Sequence, residues 1–340
     1  MLNSRRQLKM LKSFMDCALF RSSTDKRLFR LSLLRWYDAG KRDLPWRRNK
    51  DPYRIWLSEI MLQQTRVSAV LEHYREFLTR FPTVEDLASA KLDAVLAAWS
   101  GLGYYRRARN LHAAAQKVVA EFGGRIPLTA ADLRRLPGIG RYTAAAIASI
   151  AYDEKCAVLD GNVERVLARV SGYAATTAEL WEAATALLST ERPGDFNQAM
   201  MELGATVCLP TEPRCLLCPV HRWCETRGVG SRTAPAKRKI CELDMALLTD
   251  RDRVKLVRRS ESQTVMTGMW ELPTVVVVPD PPASPVLNLK HSIMNTDYRV
   301  RVWQLSKPQS RGGRWWSIRE LPDIPLTGLA RKILRRAALF

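Results

Sequence analysis

The chain has 340 residues, enough for one large domain or, as we expect, two domains with separate hydrophobic cores. Its 54 lysines and arginines outnumber its 34 aspartates and glutamates, and the formal charge of +20 predicts a polyanionic partner. The sequence contains no apolar run of about 18 residues, which argues against a membrane span. It also has no long basic amphipathic segment with an aromatic face, which favours nucleic acid over an anionic membrane surface.

Residues 1–26 are interpreted as a basic N-terminal extension. They lack the apolar core and small-residue cleavage site of a secretory signal, although a mitochondrial-type presequence is an alternative that Asp16 disfavours. We therefore expect a protein that is not secreted. If the source is bacterial, we expect the protein to be cytoplasmic and nucleoid-associated. Seven cysteines are an odd number, and without a secretory signal a disulfide scaffold is not expected.

Residues 27–226 are predicted to form helices separated by short Gly or Pro turns. Four segments have apolar residues at helical spacing and stop at glycine: 25–40, 85–103, 104–124 and 129–140. The residues predicted to cap helix N-termini are Thr83, Thr129 and Asp160. This pattern predicts an all-α unit.

The stretch WLSEIMLQQTR, 56–66, combines polar and apolar residues on one predicted helix. Glu59, Leu62, Gln63 and Arg66 lie at i, i+3, i+4 and i+7, so they are expected to share a face. The neighbouring apolar stripe consists of Trp56, Ile60 and Val67. The polar face has two interpretations, an ordinary solvated surface or the wall of a cleft.

The stretch LPGIGRYTAAAIASIAY, 136–152, opens with a Pro-Gly-x-Gly turn and continues as an alanine-rich helix. We expect Gly138 and Gly140 to adopt the positive φ angles of a tight hairpin, so that a phosphate can approach backbone N–H groups at a helix N-terminus. With a helix predicted just before it, this segment is typical of a helix-hairpin-helix that clamps the DNA backbone regardless of base sequence.

Asp160 follows closely, in AVLDGNVERVLARV. Its ordinary interpretation is an N-cap. Its functional interpretation is a second carboxylate beside Glu59 in the same helical domain. Two acids near a glycosidic bond provide one proton donor and one group that stabilises or traps an oxocarbenium-like centre.

The loop 208–224 contains four cysteines in a C-x6-C-x2-C-x5-C pattern, which are Cys208, Cys215, Cys218 and Cys224. Four thiolates this close together predict one soft metal centre, either zinc or an iron–sulfur cluster. His221 lies inside the loop, but four sulfurs already complete a ligand set.

The composition changes after Cys224. Residues 227–239 are small, basic and turn-forming, and they are interpreted as a linker. Strand-like runs follow at 244–250, 253–259, 270–278 and 296–305, with a closing helix near 327–338. The sequence therefore predicts a second, smaller α+β domain at 240–340.

Together these motifs resemble the helix-hairpin-helix DNA glycosylases with an iron–sulfur loop and, within that superfamily, the MutY-type adenine glycosylases. The matching motifs, in order, are LPWR at 44–47, SEIMLQQTRV at 58–67, GLGYYRRARNL at 101–111, LPGIGRYTA at 136–144, LDGNVERVL at 159–167, MELGATVC at 201–208 and the four cysteines. The resemblance covers about residues 27–340. It implies a mainly α helix-hairpin-helix glycosylase domain with an iron–sulfur loop, followed by a smaller α+β Nudix-like domain.

The resemblance also implies catalytic roles. Glu59 matches the general acid that protonates adenine N7, and Asp160 matches the carboxylate that faces the sugar. Tyr142 stands where bifunctional members of the superfamily carry a Schiff-base lysine. Because a phenol cannot form an imine, the resemblance implies base removal without strand cleavage.

Further residues match positions that contact the DNA. Those matching the pocket for an everted adenine are Trp46, Arg47 and Glu202. Those matching residues that enter the duplex around the partner base are Leu62, Gln64 and Thr65, with Tyr104 as an aromatic wedge. On this interpretation the helix at 56–66 presents its acid and its amides from one rigid element, as a cleft wall.

The cysteines are implied to hold a [4Fe-4S] cluster, with zinc as the alternative, and to set Arg214, Arg222 and Arg227 against phosphates. The second domain is implied to inspect 8-oxoguanine. GMWELP, 268–273, matches the start of a Nudix signature, but no acidic helix follows to hold Mg²⁺, so hydrolysis of a nucleoside diphosphate is not expected.

The recognition loop departs from the family pattern. Where relatives often carry Phe-Ser-His shortly after a histidine, His291 is followed by Ser-Ile-Met-Asn. Ser292 and Asn295 offer hydrogen bonds to a base edge. Lesion discrimination is therefore expected to be weaker or differently arranged.

The function implied is removal of adenine opposite 8-oxoguanine or guanine in double-stranded DNA, by a monomer that does not bind membranes. One alternative is a related thymine/G mismatch glycosylase, which the second domain disfavours. The other is a non-catalytic protein that binds damaged DNA, which the presence of both Glu59 and Asp160 disfavours.

Overall fold

The computed structural model describes residues 22–172, 175–228, 238–260, 262–263, 265–275, 284–307 and 312–340. Most of the predicted N-terminal extension, 1–21, and most of the predicted linker, 229–237, lie outside the described residues. Within the described residues, no helix is both long and apolar enough to cross a membrane.

The region predicted to be helical is helical, and this prediction is confirmed. Its helices are α1 Ser23–Gly40, α2 Pro52–Leu62, α3 Val67–Arg80, α4 Val84–Ser89, α5 Leu92–Ala98, α6 Arg106–Phe122, α7 Ala130–Leu133, α8 Arg141–Tyr152, α9 Gly161–Ser171, α10 Thr177–Leu187 and α11 Pro193–Thr206. The three predicted N-caps are confirmed, since the side chains of Thr83, Thr129 and Asp160 each accept a backbone N–H bond. Such a cap contributes about 1 kcal/mol to helix stability.

The segment 85–103, predicted as one helix, instead forms α4 and α5 followed by a turn. The chain is extended at Ala90, between the two helices. The Ala90 carbonyl lies 2.9 Å from Nε2 of the buried His112 on α6. A partner outside the helix thus satisfies this carbonyl, and periodicity within the segment does not reveal it.

The described residues divide into two compact units, the first within 1–60 and 125–233 and the second within 61–124 and 234–340. In the first unit, α11 packs against α8 and α9 at two glycines. A Cβ at Gly194 would lie 2.5 Å from the Ser149 carbonyl oxygen, and one at Gly204 would lie 2.5 Å from Asn162 Cβ. The absence of side chains at these positions lets α11 lie close to both helices, which brings 201–202 next to the start of α8.

The second unit contains two small sheets. Their strands are β1 Lys239–Leu247, β2 Thr249–Asp250, β3 Arg253–Arg258, β4 Trp270–Glu271, β5 Leu287–Ile293, β6 Thr296–Gln304 and β7 Arg314–Ser317. One sheet has the order β1-β6-β5, with β1 and β6 parallel and β5 and β6 forming an antiparallel hairpin. In the other, β3 pairs antiparallel with β2, β4 and β7.

A closing helix, α12 Gly328–Arg336, buries Leu329, Ile333 and Leu334 in the same core as the strands, as the sequence predicted. The strand predicted at 270–278 is wrong in length, since β4 ends at Glu271; residues 276–278 lie outside the described residues. β5 and β7 were not predicted. The α+β character of this region is confirmed.

The second compact unit also includes α3 to α6. The Leu326 carbonyl accepts a 2.7 Å hydrogen bond from Ser100 Oγ, and Arg258 pairs with Asp93 at 3.0 Å. Arg109 donates to the Thr267 carbonyl. The second compact unit therefore contains residues on both sides of the domain boundary predicted at 226–240. That domain boundary stays a prediction.

Candidate active site

Glu59 is buried on α2, with 7% of its surface exposed. Its Oε2 accepts a 2.7 Å hydrogen bond from the hydroxyl of Tyr142, which lies in the first turn of α8. The Tyr142 oxygen also lies 3.1 Å from the sulfur of Met201 on α11. Three helices of the first unit therefore bring a carboxyl, a phenol and a thioether together.

Burial raises the pKa of Glu59 to about 7. The hydrogen bond from Tyr142 opposes this shift, the negative charge of Asp160 adds to it, and the positive charge of Arg47 opposes it. Both protonation states of Glu59 are therefore populated near neutral pH, as a general acid requires. Burial also raises the pKa of Tyr142 well above its usual value, so the phenol stays a neutral donor.

Asp160 both caps α9 and lies near the other two groups. Its Oδ1 accepts from the N–H groups of Asn162 and Val163 at 3.0 and 2.8 Å, and its Oδ2 accepts from the Asn162 side chain at 2.8 Å. Its charge also raises the pKa values of Glu59 and Tyr142. The two interpretations of Asp160 from the sequence are therefore compatible, because the cap hydrogen bonds hold the carboxylate in place.

Glu202 on α11 is buried and paired with two arginines. Arg42 donates to both carboxylate oxygens at 2.7 Å, and Arg47 donates to Oε2 at 2.8 Å. Burial alone would raise the pKa of Glu202, but the hydrogen bonds from Arg42 and Arg47 hold it at about 2. The structure thus brings the predicted residues Arg47 and Glu202 together, with Trp46 buried beside Arg47 in the chain.

The predicted continuation of α2 through Gln63 and Arg66 is wrong. The helix ends at Leu62, a turn follows, and Arg66 precedes α3 as its N-cap. Gln64 has a left-handed φ of +55° and is exposed. Glu59 and the glutamine amides are therefore not presented by one helix.

The cause is the buried guanidinium of Arg107 on α6. It donates to the carbonyls of Met61 and Gln63 and to Thr65 Oγ1, at 2.9, 2.5 and 3.1 Å. It also binds the carbonyls of residues 102 and 103, just before Tyr104. One arginine therefore orders two turns of the second unit. Tyr104, with a φ of +48° and 45% of its surface exposed, projects from one of them.

The Gly-rich turn is only partly as predicted. Gly138 has a φ of +76°, which confirms its expected conformation. The positive φ predicted for Gly140 is wrong, because Gly140 is extended, with φ −86° and ψ −179°, and is the N-cap of α8. An N-cap residue normally adopts this extended conformation to start the helix that follows.

The four cysteines of the loop 208–224 all line one partly open pocket, together with Arg169 and His221. Arg169 Nη1 lies 3.3 Å from Cys208 Sγ, and the Gly228 N–H donates to Cys215 Sγ at 3.3 Å. Among the described residues, no three His, Cys, Asp or Glu side chains are close enough to hold a single metal ion. Four sulfurs around one pocket are a donor set that fits a soft metal centre, either zinc or an iron–sulfur cluster.

The predicted recognition loop, 291–295, forms the end of β5 and the turn between β5 and β6. Ser292 is exposed and its hydroxyl donates to Asp297 Oδ1 at 2.6 Å, so this hydroxyl already has a partner within the hairpin. Asn295 is exposed beside Met294, which has a φ of +51°. The Asn295 carbonyl accepts from the N–H of Lys239.

Three residues that contact the predicted site residues were not themselves predicted from the sequence: Arg42, Arg107 and Met201. Arg42 lies in a basic run, KRDLPWRR, in which nothing distinguishes it from its neighbours. Arg107 and Met201 lie inside motifs that were recognised, but helical periodicity gives no sign of their contacts. Each acts through a partner at least 42 positions away in the chain.

Comparison with known proteins establishes the family. Residues 57–189 match the family described as HhH-GPD superfamily base excision DNA repair protein. The solved structure of a thermostable thymine-DNA glycosylase is 30% identical, with a TM-score of 0.57, and the match covers 98% of that chain and 60% of this one. The chain belongs to the HhH-GPD superfamily. Glu59, Tyr142 and Asp160 all lie inside the matched HhH-GPD region, and the predicted fold class is confirmed.

Similar proteins also include two adenine DNA glycosylases. That of Rattus norvegicus is 51% identical over 221 residues, and that of Arabidopsis thaliana is 39% identical over 308 residues. These matches cover 61% and 75% of this chain but 43% and 49% of the relatives. The chain thus spans about half the length of the curated relatives it matches.

Proposed function

We propose that the protein is an adenine DNA glycosylase that hydrolyses the N-glycosidic bond of adenine mispaired with 8-oxoguanine or guanine. The observation that carries this proposal is the buried Glu59 carboxyl, bound by Tyr142 and close to the fixed carboxylate of Asp160. The names of the rat and Arabidopsis relatives support adenine as the base.

The chemistry follows from the two carboxyl groups. Neutral Glu59 donates its proton to adenine N7, and the bonding pair of C1′–N9 leaves with the base. Asp160 stabilises the resulting oxocarbenium-like sugar until water adds to C1′ and loses a proton. Burial keeps a fraction of Glu59 protonated near pH 7, whereas the N–H bonds to Asp160 hold its carboxylate oriented.

Base removal without strand cleavage follows from Tyr142. Strand cleavage by β-elimination needs an amine that forms an imine with C1′. The residue at the start of α8 that contacts Glu59 is a phenol, and its hydroxyl is occupied by Glu59 and Met201. The expected product is an abasic site in an intact strand.

Arg47 is the residue we propose to contact the edge of the everted base. Its guanidinium is oriented by Glu202 and lies 5.5 Å from the ring centre of Tyr37. A guanidinium has five N–H donors in a fixed plane, so one bound to a carboxylate can still donate to a ring nitrogen.

For the cofactor we propose a [4Fe-4S] cluster held by Cys208, Cys215, Cys218 and Cys224, as members of this superfamily commonly bind one. Zinc is the alternative, because thiolates bind both metals. When bound, the cluster would cross-link the loop as a structural centre. Iron, sulfide and zinc analysis of purified protein with an ultraviolet–visible spectrum is expected to give iron and sulfide in equal amounts; zinc alone would contradict the proposal.

The partner is proposed to be double-stranded DNA that carries an A:8-oxoG or A:G mispair, bound by a monomer. The charge of +20 supports a phosphate-rich partner. Log affinity is then expected to fall linearly with log salt concentration, with a slope set by the number of phosphates contacted.

A second candidate is removal of thymine opposite guanine. The thymine-DNA glycosylase, covered over 98% of its length by this chain, favours it. We place it second because the Arabidopsis adenine glycosylase matches over a longer part of this chain, 75% against 60%.

Single-turnover reactions on A:8-oxoG, A:G and T:G duplexes distinguish the two candidates. Product from the adenine strand is expected to appear as a nick only after alkaline treatment. Cleavage of T:G alone would favour the second candidate, and no product from any duplex would favour a non-catalytic DNA-binding protein. A nick before alkali would contradict the proposed role of Tyr142.

The pH dependence of excision follows from the raised pKa of Glu59. Above about pH 7 the protonated fraction of Glu59 falls tenfold per pH unit. The excision rate at subsaturating enzyme is therefore expected to fall tenfold per pH unit as well. The single-turnover rate of excision from A:8-oxoG DNA, measured from pH 6 to 9, tests this pH dependence. A rate that stays constant to pH 9 would contradict a Glu59 proton donor.

A further inference from the structure

The Tyr142 hydroxyl lies between two acceptors. Its oxygen is 2.7 Å from Glu59 Oε2 and 3.1 Å from Met201 Sδ. A phenol carries one hydrogen, so it can donate to only one of the two at a time, while its oxygen can also accept a hydrogen bond. Which acceptor it uses depends on whether Glu59 carries a proton.

When Glu59 is ionised, both of its oxygens are acceptors only. Tyr142 must then donate to Glu59, and the Met201 sulfur faces the phenol oxygen with no hydrogen between them. When Glu59 is neutral with its hydrogen on Oε2, it can itself donate to the phenol oxygen. The Tyr142 hydrogen is then released to the sulfur, a weak acceptor, and a continuous chain runs from Glu59 through Tyr142 to Met201.

We propose that Met201 is a positioning residue whose sulfur holds the Tyr142 hydrogen while Glu59 is protonated and releases it to Glu59 as the Glu59 proton leaves. This inference deepens the proposed function and rests on it, because the proton in question is the one transferred to adenine. Met201 does not act on the substrate; it acts through Tyr142 on the acid.

The step balances without any further reactant. The Glu59 hydrogen first turns from the Tyr142 oxygen to adenine N7; its O–H bond then breaks as the N7–H bond forms, and the C1′–N9 pair leaves with the base. Tyr142 only rotates its hydroxyl, from Met201 to the new carboxylate. The product carboxylate therefore gains a hydrogen bond at the moment it forms, and the reactant acid is not left opposite a competing donor.

The surrounding charges do not replace this arrangement. The groups that face Glu59 are Tyr142 from α8, Asp160 from the N-cap of α9, and Arg47. Arg47 is itself paired with Glu202 of α11, whose other partner is Arg42. All of these stay in place when only the sulfur of Met201 is removed.

The position of Met201 is held by the packing of α11. Gly194 and Gly204 keep this helix in close contact with α8 and α9, so the residues between them have little freedom to move away from Tyr142. The adjacent Met200 is 2% exposed and packs in the core, whereas Met201 is partly exposed. The two methionines therefore provide a matched pair, one with the contact to Tyr142 and one in the core.

The test replaces the sulfur without changing the volume, as Met201→Leu, with Met200→Leu as the control; Leu–Met exchanges are usually well tolerated in cores. With the sulfur gone, the state with neutral Glu59 loses an acceptor for the Tyr142 hydrogen, while the state with ionised Glu59 keeps its hydrogen bond from Tyr142, so the pKa of Glu59 falls. The alkaline limb of the single-turnover profile on A:8-oxoG DNA is expected to move to lower pH by about half a unit, the size of one weak hydrogen bond. Met200→Leu is expected to leave the limb in place.

Two further measurements separate this role from general loosening of the site. In a Tyr142→Phe background, Met201→Leu is expected to cause no additional shift, because the two changes act through one hydroxyl. Infrared difference spectroscopy of the carboxylic acid C=O band, assigned by its loss in Glu59→Gln, reports the same pKa without any substrate. It is expected to show the same shift.

The outcomes distinguish failure of this inference from failure of the proposed function. If the wild-type protein excises no adenine, the proposed function fails, while the infrared titration still decides the role of Met201. If Met201→Leu titrates like the wild type, or if its shift persists in Tyr142→Phe, the inference is overturned. An equal shift in Met200→Leu would also overturn it, since that sulfur lies in the core.

Discussion

Glu59→Gln is expected to lower the single-turnover rate of adenine excision by about 10²- to 10⁴-fold, the usual contribution of a positioned general acid. Gln preserves the shape of the side chain and still accepts a hydrogen bond from Tyr142 at Oε1, but it has no proton to give to adenine N7. Binding to the A:8-oxoG duplex is expected to stay close to that of the wild type, as measured by fluorescence anisotropy in the same buffer.

The stability of this variant serves as its control. Because burial raises the pKa of Glu59, ionising this group above pH 7 opposes folding, and an amide removes that opposition. The stabilising effect of neutral Glu59 is fully present below pH 4.5 and is lost as the pH rises through about 7. Glu59→Gln is therefore expected to melt no lower than the wild type at pH 8. A stable variant that keeps wild-type excision would contradict the proposed mechanism.

Asp160→Asn is expected to lower the excision rate by about 10²- to 10³-fold, the loss typical of removing one electrostatic contact to a developing charge. The amide carries no negative charge opposite the oxocarbenium-like sugar. Asn is nevertheless as good an N-cap as Asp, so α9 is expected to keep its start and the protein its melting temperature.

Asp51→Asn is the matched control for this change. The Asp51 side chain accepts the N–H groups of Tyr53 and Arg54 at the start of α2, so it is a capping aspartate of the same compact unit. It is expected to excise adenine at the wild-type rate. Equal losses of excision rate in Asp51→Asn and Asp160→Asn would show that Asp160 acts only as a helix cap. An unchanged excision rate in both variants would show that Asp160 takes no part in the reaction.

Asp160 can be both a helix N-cap and a catalytic carboxylate. Its oxygens accept three hydrogen bonds from Asn162 and Val163, and its charge still reaches Glu59 and Tyr142. A side chain held by its own helix cannot turn away from a substrate. The cap thus provides the preorganisation that electrostatic stabilisation of a transition state requires.

The end of α2 is where local reasoning gave a wrong answer with a clear cause. Residues 56–66 have helical spacing throughout, yet the helix ends at Leu62. Arg107, more than forty positions later, binds the carbonyls of Met61 and Gln63 and holds the following turn. Propensity within a segment is a weak preference, and a buried guanidinium with several carbonyl partners outweighs it.

The sequence by itself determined the helical character of residues 27–226, the N-caps at Thr83, Thr129 and Asp160, the four clustered cysteines, and the ordered motifs that indicated the family. These features depend on neighbours within a few positions, since capping and helical spacing are local. Only the tertiary structure decided that Tyr142 binds Glu59 across 83 positions, that Arg42 and Arg47 share Glu202, and that Met201 reaches the Tyr142 hydroxyl. The physical reason is that burial and long-range packing set the pKa values and contacts of a site. The spacing of residues within one segment determines neither the burial nor the long-range packing.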